Sequence, residues 1–137
     1  TAMVYEARQA VDTRLAELAA QRATPADHEA IRQALEEMEA HIDDDAAFAA
    51  ADLRFHRAVA RAGRNELLSQ FYQVSQNLLM ETIEKVVSVP GIKEESLQLQ
   101  WEVYEAIVAG SPSKALQATT AQLRHVEELL QRAGLAQ

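Results

Sequence analysis

One stretch decides the fold of this chain: FAAADLRFHRAV, residues 48–59. Within it Phe48, Asp52, Phe55 and Val59 follow one another in steps of 4, 3 and 4 residues, the spacing of one helix face. His56 stands one helical turn after Asp52 and beside the apolar stripe. Because burying an acid and an imidazole without partners is unfavourable, the pair indicates a bound metal, a bound anion or a structural hydrogen bond.

The composition favours a single helical domain. The chain has 137 residues, 48% of them apolar, with only four glycines and three prolines. It has no cysteine, which excludes disulfides and is compatible with a cytoplasmic location. No apolar run approaches the roughly 20 residues of a membrane helix. The net charge of −8 argues against a basic face that binds nucleic acid, so we expect a cytoplasmic domain without a membrane span.

Breaks in the apolar pattern divide the chain into six helical segments with short connections, which predicts an antiparallel all-α bundle. Thr24-Pro25-Ala26-Asp27 has the pattern of a helix start, and Asp43-Asp44-Asp45 offers an N-cap to the following helix. Val89-Pro90-Gly91 and Gly110-Ser111-Pro112 interrupt the second half of the chain. The predicted helices cover about residues 2–21, 25–42, 45–62, 66–87, 93–109 and 112–133.

Polar residues interrupt the apolar stripes of four of these helices. Gln100 stands on the fifth stripe, Gln122 on the sixth with His125 on a neighbouring line, and Arg8 lies near the first. One polar residue per helix is compatible with ordinary hydrogen bonds inside a core. Several at a similar depth predict a shared cavity for a small polar ligand, with or without a metal. The candidate ligand-binding residues are Arg8, Asp52, His56, Gln100, Gln122 and His125.

Two acidic clusters resemble metal sites, but their positions favour another role. Asp27-His28-Glu29 and His41-x-Asp43-Asp44-Asp45 lie at predicted helix ends, where acids cap the backbone and complement the helix dipole. The sequence contains no nucleophile-elbow serine and no glycine-rich phosphate loop. We therefore expect a protein that is not an enzyme.

Several short motifs, in this order, resemble one known family. Tyr5-Glu6-Ala7-Arg8, Asp52-x-x-Phe55-His56, Ala62-Gly63-Arg64-Asn65 and Ala106-Ile107-x-x-Gly110 are similar to segments of the FCD (FadR C-terminal) domain. This domain occurs in transcription regulators of the GntR family, FadR subfamily, and the resemblance covers nearly all of residues 1–137. It implies an all-α antiparallel bundle that senses a small metabolite, often a carboxylate, and forms a homodimer. DNA would be bound by an N-terminal winged helix-turn-helix outside this sequence, and the join near Pro90 is shorter than the family leads us to expect.

The resemblance also implies where a metal would be held. Many members use one aspartate and three histidines, and the first two of these fall on Asp52 and His56. Gln100 and Gln122 stand where the other two histidines would be, and an amide oxygen is a poor ligand for zinc or nickel. His125 lies three residues past the expected place. A metal-free pocket is favoured, with hydrogen bonds from both glutamines and an effector carboxylate paired with Arg8; FadR itself binds an acyl thioester without such a metal.

We therefore predict the effector-sensing domain of a DNA-binding transcription regulator. Two alternatives remain open on the sequence alone. One is a metal-dependent helical-bundle enzyme in which Asp52 and His56 hold zinc or nickel. The other is a purely structural helical interaction module, whose polar core residues would be hydrogen-bonded to one another without a cavity.

Overall fold

The computed structural model describes residues 2–134, except the side chains of residues 79 and 81–83. Over this range the chain forms six α-helices and no strand, so the predicted all-α fold is confirmed. The short connections make successive helices antiparallel. The helices are α1 (Ala2–Arg22), α2 (Pro25–Ala40), α3 (Asp45–Ala62), α4 (Glu66–Val86), α5 (Ile92–Val108) and α6 (Pro112–Arg132).

Helix starts follow the capping signals of the sequence. The Thr24 hydroxyl accepts a hydrogen bond from the backbone of Asp27, and the Asp27 carboxylate accepts one from the backbone of Thr24, at 3.2 and 2.8 Å. Asp44 caps α3 through the amide of Ala47, and Ser111 caps α6. The predicted capping roles of Asp27 and of the acidic triplet are thus confirmed.

Helix α2 ends earlier than its apolar pattern predicts. It stops at Ala40, although Ile42 continues the spacing of its core residues. Asp44 adopts an extended conformation (φ −121°, ψ 100°) to cap α3, so the chain must leave α2 and turn before that residue. Ile42 still packs partly buried against the core from this turn.

The two ends of the bundle differ. At one end the α1–α2 turn meets the α3–α4 turn, because Arg22 donates to the carbonyl of Gly63 at 3.0 Å and Arg64 pairs with Asp27. We call this the capped end. At the opposite end Lys93 pairs with Asp45 and joins the α4–α5 turn to the start of α3. We call that the cavity end, because residues near this turn line the larger internal cavity.

The main core is formed by the second half of α1 together with α2, α3, α5 and α6. Its largest fully buried side chains include Phe55, Ile31, Leu35, Met38 and Ile107. Helix α4 packs chiefly on α1 and α3 and leaves much of its apolar surface outside. None of the helices in the described part of the chain is long and apolar enough to span a membrane.

Candidate functional site

Three helices bring four of the sequence-predicted residues together in the bundle interior. Gln100 of α5 donates its amide N–H to Asp52 Oδ1 of α3 at 2.7 Å. His56 Nε2 lies 3.2 Å from the same carboxylate oxygen and 3.1 Å from Gln122 Nε2 of α6. Gln100 and Gln122 are only 2% and 5% exposed, so both amides belong to the core. We call Asp52, His56, Gln100 and Gln122 the polar cluster.

Asp52 is the anion of the polar cluster. Burial, the strongest single influence, acts to raise the pKa of Asp52, but His56, the hydrogen bond from Gln100 and the charge of Arg8 together lower it below its ordinary value of 3.8. The carboxylate is therefore ionised at neutral pH and only accepts hydrogen bonds. One oxygen of this carboxylate, Oδ1, contacts both Gln100 and His56 and so orients the two side chains.

Gln122 and Asp52 compete for one nitrogen of His56. An ionised Asp52 favours a proton on His56 Nε2, whereas the NH₂ group of Gln122 approaches the same nitrogen as a donor. One ring nitrogen cannot donate to Asp52 and accept from Gln122 at once. The Gln122 amide is consequently the group of the cluster that is most easily redirected toward a bound molecule.

A buried ion pair on α1 supplies positive charge beside the cluster. Arg8 Nε donates to Asp12 Oδ2 at 3.1 Å, and both side chains are less than a tenth exposed. Burial raises the pKa of Asp12 against the opposing charges of Arg8 and His56. A guanidinium has five N–H donors, and this bond engages one of them, so Arg8 keeps donors for a second acid.

A cavity of about 60 Å³ lies against the polar cluster and extends toward the cavity end. One water needs about 10–15 Å³ of such a cavity, so the space holds roughly four to six waters, or a ligand with about as many non-hydrogen atoms. Its polar lining residues are Arg8, Asp52, His56, Gln76, Glu84, Ser96, Gln100 and Gln122. Its apolar wall includes Phe48 and Leu53 of α3, Val87 and Ile92 near the α4–α5 turn, and Leu129 of α6.

A second, smaller cavity of about 20 Å³ shares His56 and Gln122 with the first. Three buried polar atoms belong to its wall and have no hydrogen-bond partner among the described residues: Asp12 Oδ1, Tyr72 OH and Thr119 Oγ1. Burial, together with the nearby charge of Asp12, raises the pKa of Tyr72 well above its usual value, so its hydroxyl stays protonated. Gln100 Oε1 is also buried without a partner. Polar groups that are buried and unpaired each cost about 1–3 kcal/mol, so their concentration here marks the site.

Of the six predicted ligand-binding residues, the structure brings five to the larger cavity and leaves His125 outside its lining. His125 Nε2 instead contacts Glu95 of α5 at 2.8 Å. Three residues advance a helix by about 300°, so His125 lies on the flank of α6 rather than on the line of Gln122.

Sequence reasoning missed the contribution of α4. Gln76 and Met80 of this helix line the larger cavity, and Tyr72 lines the smaller one. These three residues recur every four positions, which is one helix face. That spacing was available in the sequence, but the more apolar stripe on the opposite side of α4 obscured it.

The polar cluster does not suit zinc or nickel. Gln100 and Gln122 contribute neutral amides, which are poor ligands for these ions, and the Gln100 amide N–H occupies one lone pair of Asp52 Oδ1. Arg8, a further cation, lines the same cavity. Among the residues that the structure describes, no group of three or more histidines, cysteines and acids is arranged to hold a metal ion.

The fold and the cluster together define a class: a helical-bundle domain with a polar internal cavity, an architecture that binds small molecules between its helices. The FCD domain profile matches residues 3–132. The chain therefore belongs to the FCD domain family of transcription regulators, and the resemblance found in the sequence is confirmed.

Similar proteins are transcription regulators. The HTH-type transcriptional regulator LutR of Bacillus subtilis (strain 168) is 35% identical over 93% of this chain and 60% of its own length. The proposed regulatory protein of the L-lactate dehydrogenase operon of Escherichia coli (strain K12) is 34% identical over 94% of this chain and 51% of its own. The galactonate operon transcriptional repressor of the same organism is 43% identical over 47% of this chain and 28% of its own. The matched part of this chain thus spans 60% and 51% of the length of the first two relatives and 28% of the length of the third.

Proposed function

We propose that this domain senses a small carboxylate effector, which binds in the larger cavity against the polar cluster. One observation carries the proposal: the cation Arg8, the amides of Gln100 and Gln122 and the imidazole of His56 converge on one cavity, where Arg8 is the only cation and the acids are Asp52 and Glu84 among the described lining residues. Among the described residues Arg8 donates only from Nε, to Asp12, and the fork of its two terminal nitrogens matches the geometry of a carboxylate. The cavity volume limits a ligand that fits without rearrangement to about the size of lactate, so a larger acid such as galactonate, or a bulky acyl thioester, would require the helices to separate.

Relatives support the same ligand class. Two of the similar proteins are named for an L-lactate dehydrogenase operon and a galactonate operon. Lactate and galactonate are both hydroxycarboxylates. An effector of this class would have its carboxylate on Arg8 and its hydroxyl within reach of the amides of the polar cluster.

The proposal extends to a longer, cytoplasmic regulator that binds DNA through a segment outside this sequence. The matched relatives are longer than this chain and are named as regulators. The domain itself is acidic, with a net charge of −8, which makes it a poor partner for phosphates. A winged helix-turn-helix on the N-terminal side of α1 is the expected DNA-binding part. An effector that binds one arrangement of the helices better than another would then shift the geometry of that part.

The two alternative functions have less support. A metal-dependent enzyme would need ligands at the positions of Gln100 and Gln122, which are neutral amides, and the Gln100 amide N–H is bound to Asp52 instead. A purely structural module would have its interior polar groups paired with one another. Asp12, Tyr72, Gln100 and Thr119 each keep a buried polar atom without a partner.

Isothermal titration calorimetry of the chain with acetate, L-lactate, succinate and D-galactonate tests the proposal. We expect at least one of these acids to bind, and Gln100→Leu to weaken that binding at least tenfold. Gln117→Leu is the matched control, because Gln117 is exposed on α6 and lies outside the cavity. The carboxylate pocket would be refuted if none of the four acids bound. It would also be refuted if the Gln100→Leu variant bound an acid as tightly as the wild type does.

The same titration separates the metal-free pocket from a metal site. We expect binding to be unchanged after treatment with a chelator and after addition of zinc or nickel. Binding that occurs only with added metal would show that the effector is held through the ion and would overturn this part of the proposal.

A further inference from the structure

Three buried polar groups line the smaller cavity from three different helices. Asp12 Oδ1 comes from α1, the Tyr72 hydroxyl from α4 and the Thr119 hydroxyl from α6, and none of them has a hydrogen-bond partner among the described residues. Tyr72 and Thr119 are each 5% exposed, and the Asp12 side chain is 9% exposed. Buried polar groups are normally paired, so one common partner inside the cavity would satisfy all three. We call Asp12, Tyr72 and Thr119 the unpaired trio.

Thr119 differs in this respect from the threonine beside it. A threonine inside a helix can bond its hydroxyl to the carbonyl four residues earlier, and Thr120 does so with Leu116 at 2.8 Å. The Thr119 hydroxyl makes no such bond. It is therefore available to a group in the smaller cavity.

The unpaired trio restricts the chemistry of the group that can occupy the cavity. The Asp12 carboxylate accepts hydrogen bonds, the Tyr72 hydroxyl has a proton to donate, and the Thr119 hydroxyl can do either. An occupant must therefore donate to Asp12 and accept from Tyr72. A second carboxylate would be repelled by Asp12, an ammonium group cannot accept, and a carbonyl cannot donate. A hydroxyl group does both.

The size of the smaller cavity restricts the occupant further. Its volume is about 20 Å³, and a water needs about 10–15 Å³ of such a space. The cavity therefore admits one non-hydrogen atom. A primary amide, which also donates and accepts, has three such atoms and would not fit.

The smaller cavity is linked to the position proposed for the effector carboxylate. Arg8 lines the larger cavity and is bonded through Nε to Asp12 Oδ2 at 3.1 Å, while Asp12 lines the smaller one. His56 and Gln122 belong to both walls. A 2-hydroxy acid carries its hydroxyl on the carbon next to the carboxylate, so its two polar groups match this pair of neighbouring positions.

We propose that the smaller cavity is a hydroxyl subsite, in which Asp12, Tyr72 and Thr119 bind the hydroxyl of a 2-hydroxy acid whose carboxylate pairs with Arg8. This inference rests on the carboxylate pocket proposed above and adds the residues that determine its specificity. The Gln122 amide, which belongs to both walls and is easily redirected, turns to admit the hydroxyl. An acid without a hydroxyl leaves the trio unpaired and binds more weakly, because a site built around a hydroxyl discriminates against ligands that lack it.

Isothermal titration calorimetry with acids that differ only in the hydroxyl tests the subsite: L-lactate and D-lactate against propionate, and glycolate against acetate. We expect the wild-type chain to bind at least one hydroxy acid at least tenfold more tightly than its counterpart without the hydroxyl. Thr119→Val and Tyr72→Phe each remove one hydroxyl from the cavity wall and should each lower that preference at least threefold. A loss of pocket structure alone would weaken both acids of a pair and leave their ratio unchanged.

Thr120→Val and Tyr104→Phe are the matched controls, because neither residue lines either of the two cavities. We expect both control variants to keep the wild-type preference. Far-ultraviolet circular dichroism establishes that each variant is folded. The preference of the wild-type chain itself needs no variant and tests the subsite independently.

The outcomes distinguish the subsite from the pocket. If no acid of either kind bound, the carboxylate pocket would be wrong and the subsite with it. If acids bound but the hydroxy acids had no advantage, the pocket would stand and the subsite would be refuted, with the smaller cavity left to a water. A preference that persisted in folded Thr119→Val and Tyr72→Phe variants would assign hydroxyl recognition to other residues and would also overturn the proposal.

Discussion

The capped end and the polar cluster use polar residues in opposite ways. At the capped end Arg22, Thr24, Asp27 and Arg64 pair with backbone or with one another and join two turns. Within and beside the polar cluster, buried polar atoms of Gln100, Asp12, Tyr72 and Thr119 have no partner in the part of the chain that the structure describes. The first arrangement stabilises the fold, whereas the second gives up stability at a place where a ligand can supply the missing partners. Substitutions at the two regions should therefore affect different measurements.

The largest effect is expected from Gly63→Val at the capped end. A Cβ at this position would lie 3.1 Å from both the side chain and the carbonyl oxygen of Leu15, and the carbonyl belongs to a helix backbone that cannot move aside. We expect the free energy of unfolding to fall by about 2–3 kcal/mol. Urea denaturation measures it.

Ala109→Val is the control for this substitution. Ala109 is also a helix C-cap, with φ −69° and ψ −11° against φ −69° and ψ −19° at Gly63, but it is exposed. If both variants lost the same stability, backbone conformation rather than crowding against Leu15 would be the cause.

Gln122→Leu should weaken ligand binding and leave the stability of the fold nearly unchanged. We expect carboxylate binding to weaken at least tenfold, about 1.4 kcal/mol, because the amide that faces the cavity is lost. Stability should stay within about 0.5 kcal/mol of the wild type, since His56 keeps its contact with Asp52 at 3.2 Å. Calorimetry and urea denaturation of the same preparation measure both quantities. A large fall in the free energy of unfolding together with unchanged binding would mean that Gln122 stabilises the fold and does not contact the ligand.

Thr24→Ala should remove one cap and leave binding intact. The variant loses the hydroxyl that accepts from Asp27, and we expect the free energy of unfolding to fall by about 1 kcal/mol. Thr120→Ala is the control, because the Thr120 hydroxyl bonds back to the carbonyl of Leu116 within α6 and caps no helix. Equal losses in both variants would argue against a specific role of the cap.

The smallest effect concerns pH, and the two regions should respond alike. The pKa values of Asp27 and Asp52 are both lowered in the folded state, so the stability that their ionised forms contribute is present above 3.8 and is lost as the pH falls through the folded-state values. Asp27→Asn and Asp52→Asn keep a hydrogen-bond acceptor but remove the charge. We expect each variant to lose less stability than the wild type on acidification below pH 3.8, as measured by urea denaturation at successive pH values. A wild-type loss no steeper than that of the variants would contradict these shifts.

Much of the fold could be predicted because its signals are local. The caps at Thr24, Asp44 and Ser111 satisfy amides only three residues away, and proline or glycine marks the breaks near Pro90 and Gly110. The end of α2 could not be placed as well, because the apolar spacing continues through Ile42 while the backbone has already turned. Apolar spacing reports which residues face the core, but not whether they do so from a helix or from a turn.

The candidate site was predicted in part because the positions of its residues on their helices follow from local spacing. Convergence of Asp52, His56, Gln100 and Gln122 followed from one helical position on each of three stripes, and the structure brings them together. Whether His125 faces the cavity depends on how α6 is rotated about its axis. The sequence shows only that His125 lies next to the apolar stripe of α6, and this does not fix the rotation. The outward direction of the apolar residues Leu67, Phe71, Val74 and Leu78 depends on which helices cover α4, and this is a property of the tertiary packing alone.

Helix α4 lines the larger cavity with Gln76 and Met80 and, on its other side, exposes Leu67, Phe71, Val74 and Leu78 to solvent. A molecule bound in the cavity and a surface packed on that outer face would therefore contact the same helix. If both alter the position of α4, each must, by reciprocity, change the affinity of the other by the same factor. The metabolite concentration that gives a half-maximal response would then depend on what covers the outer face of this helix.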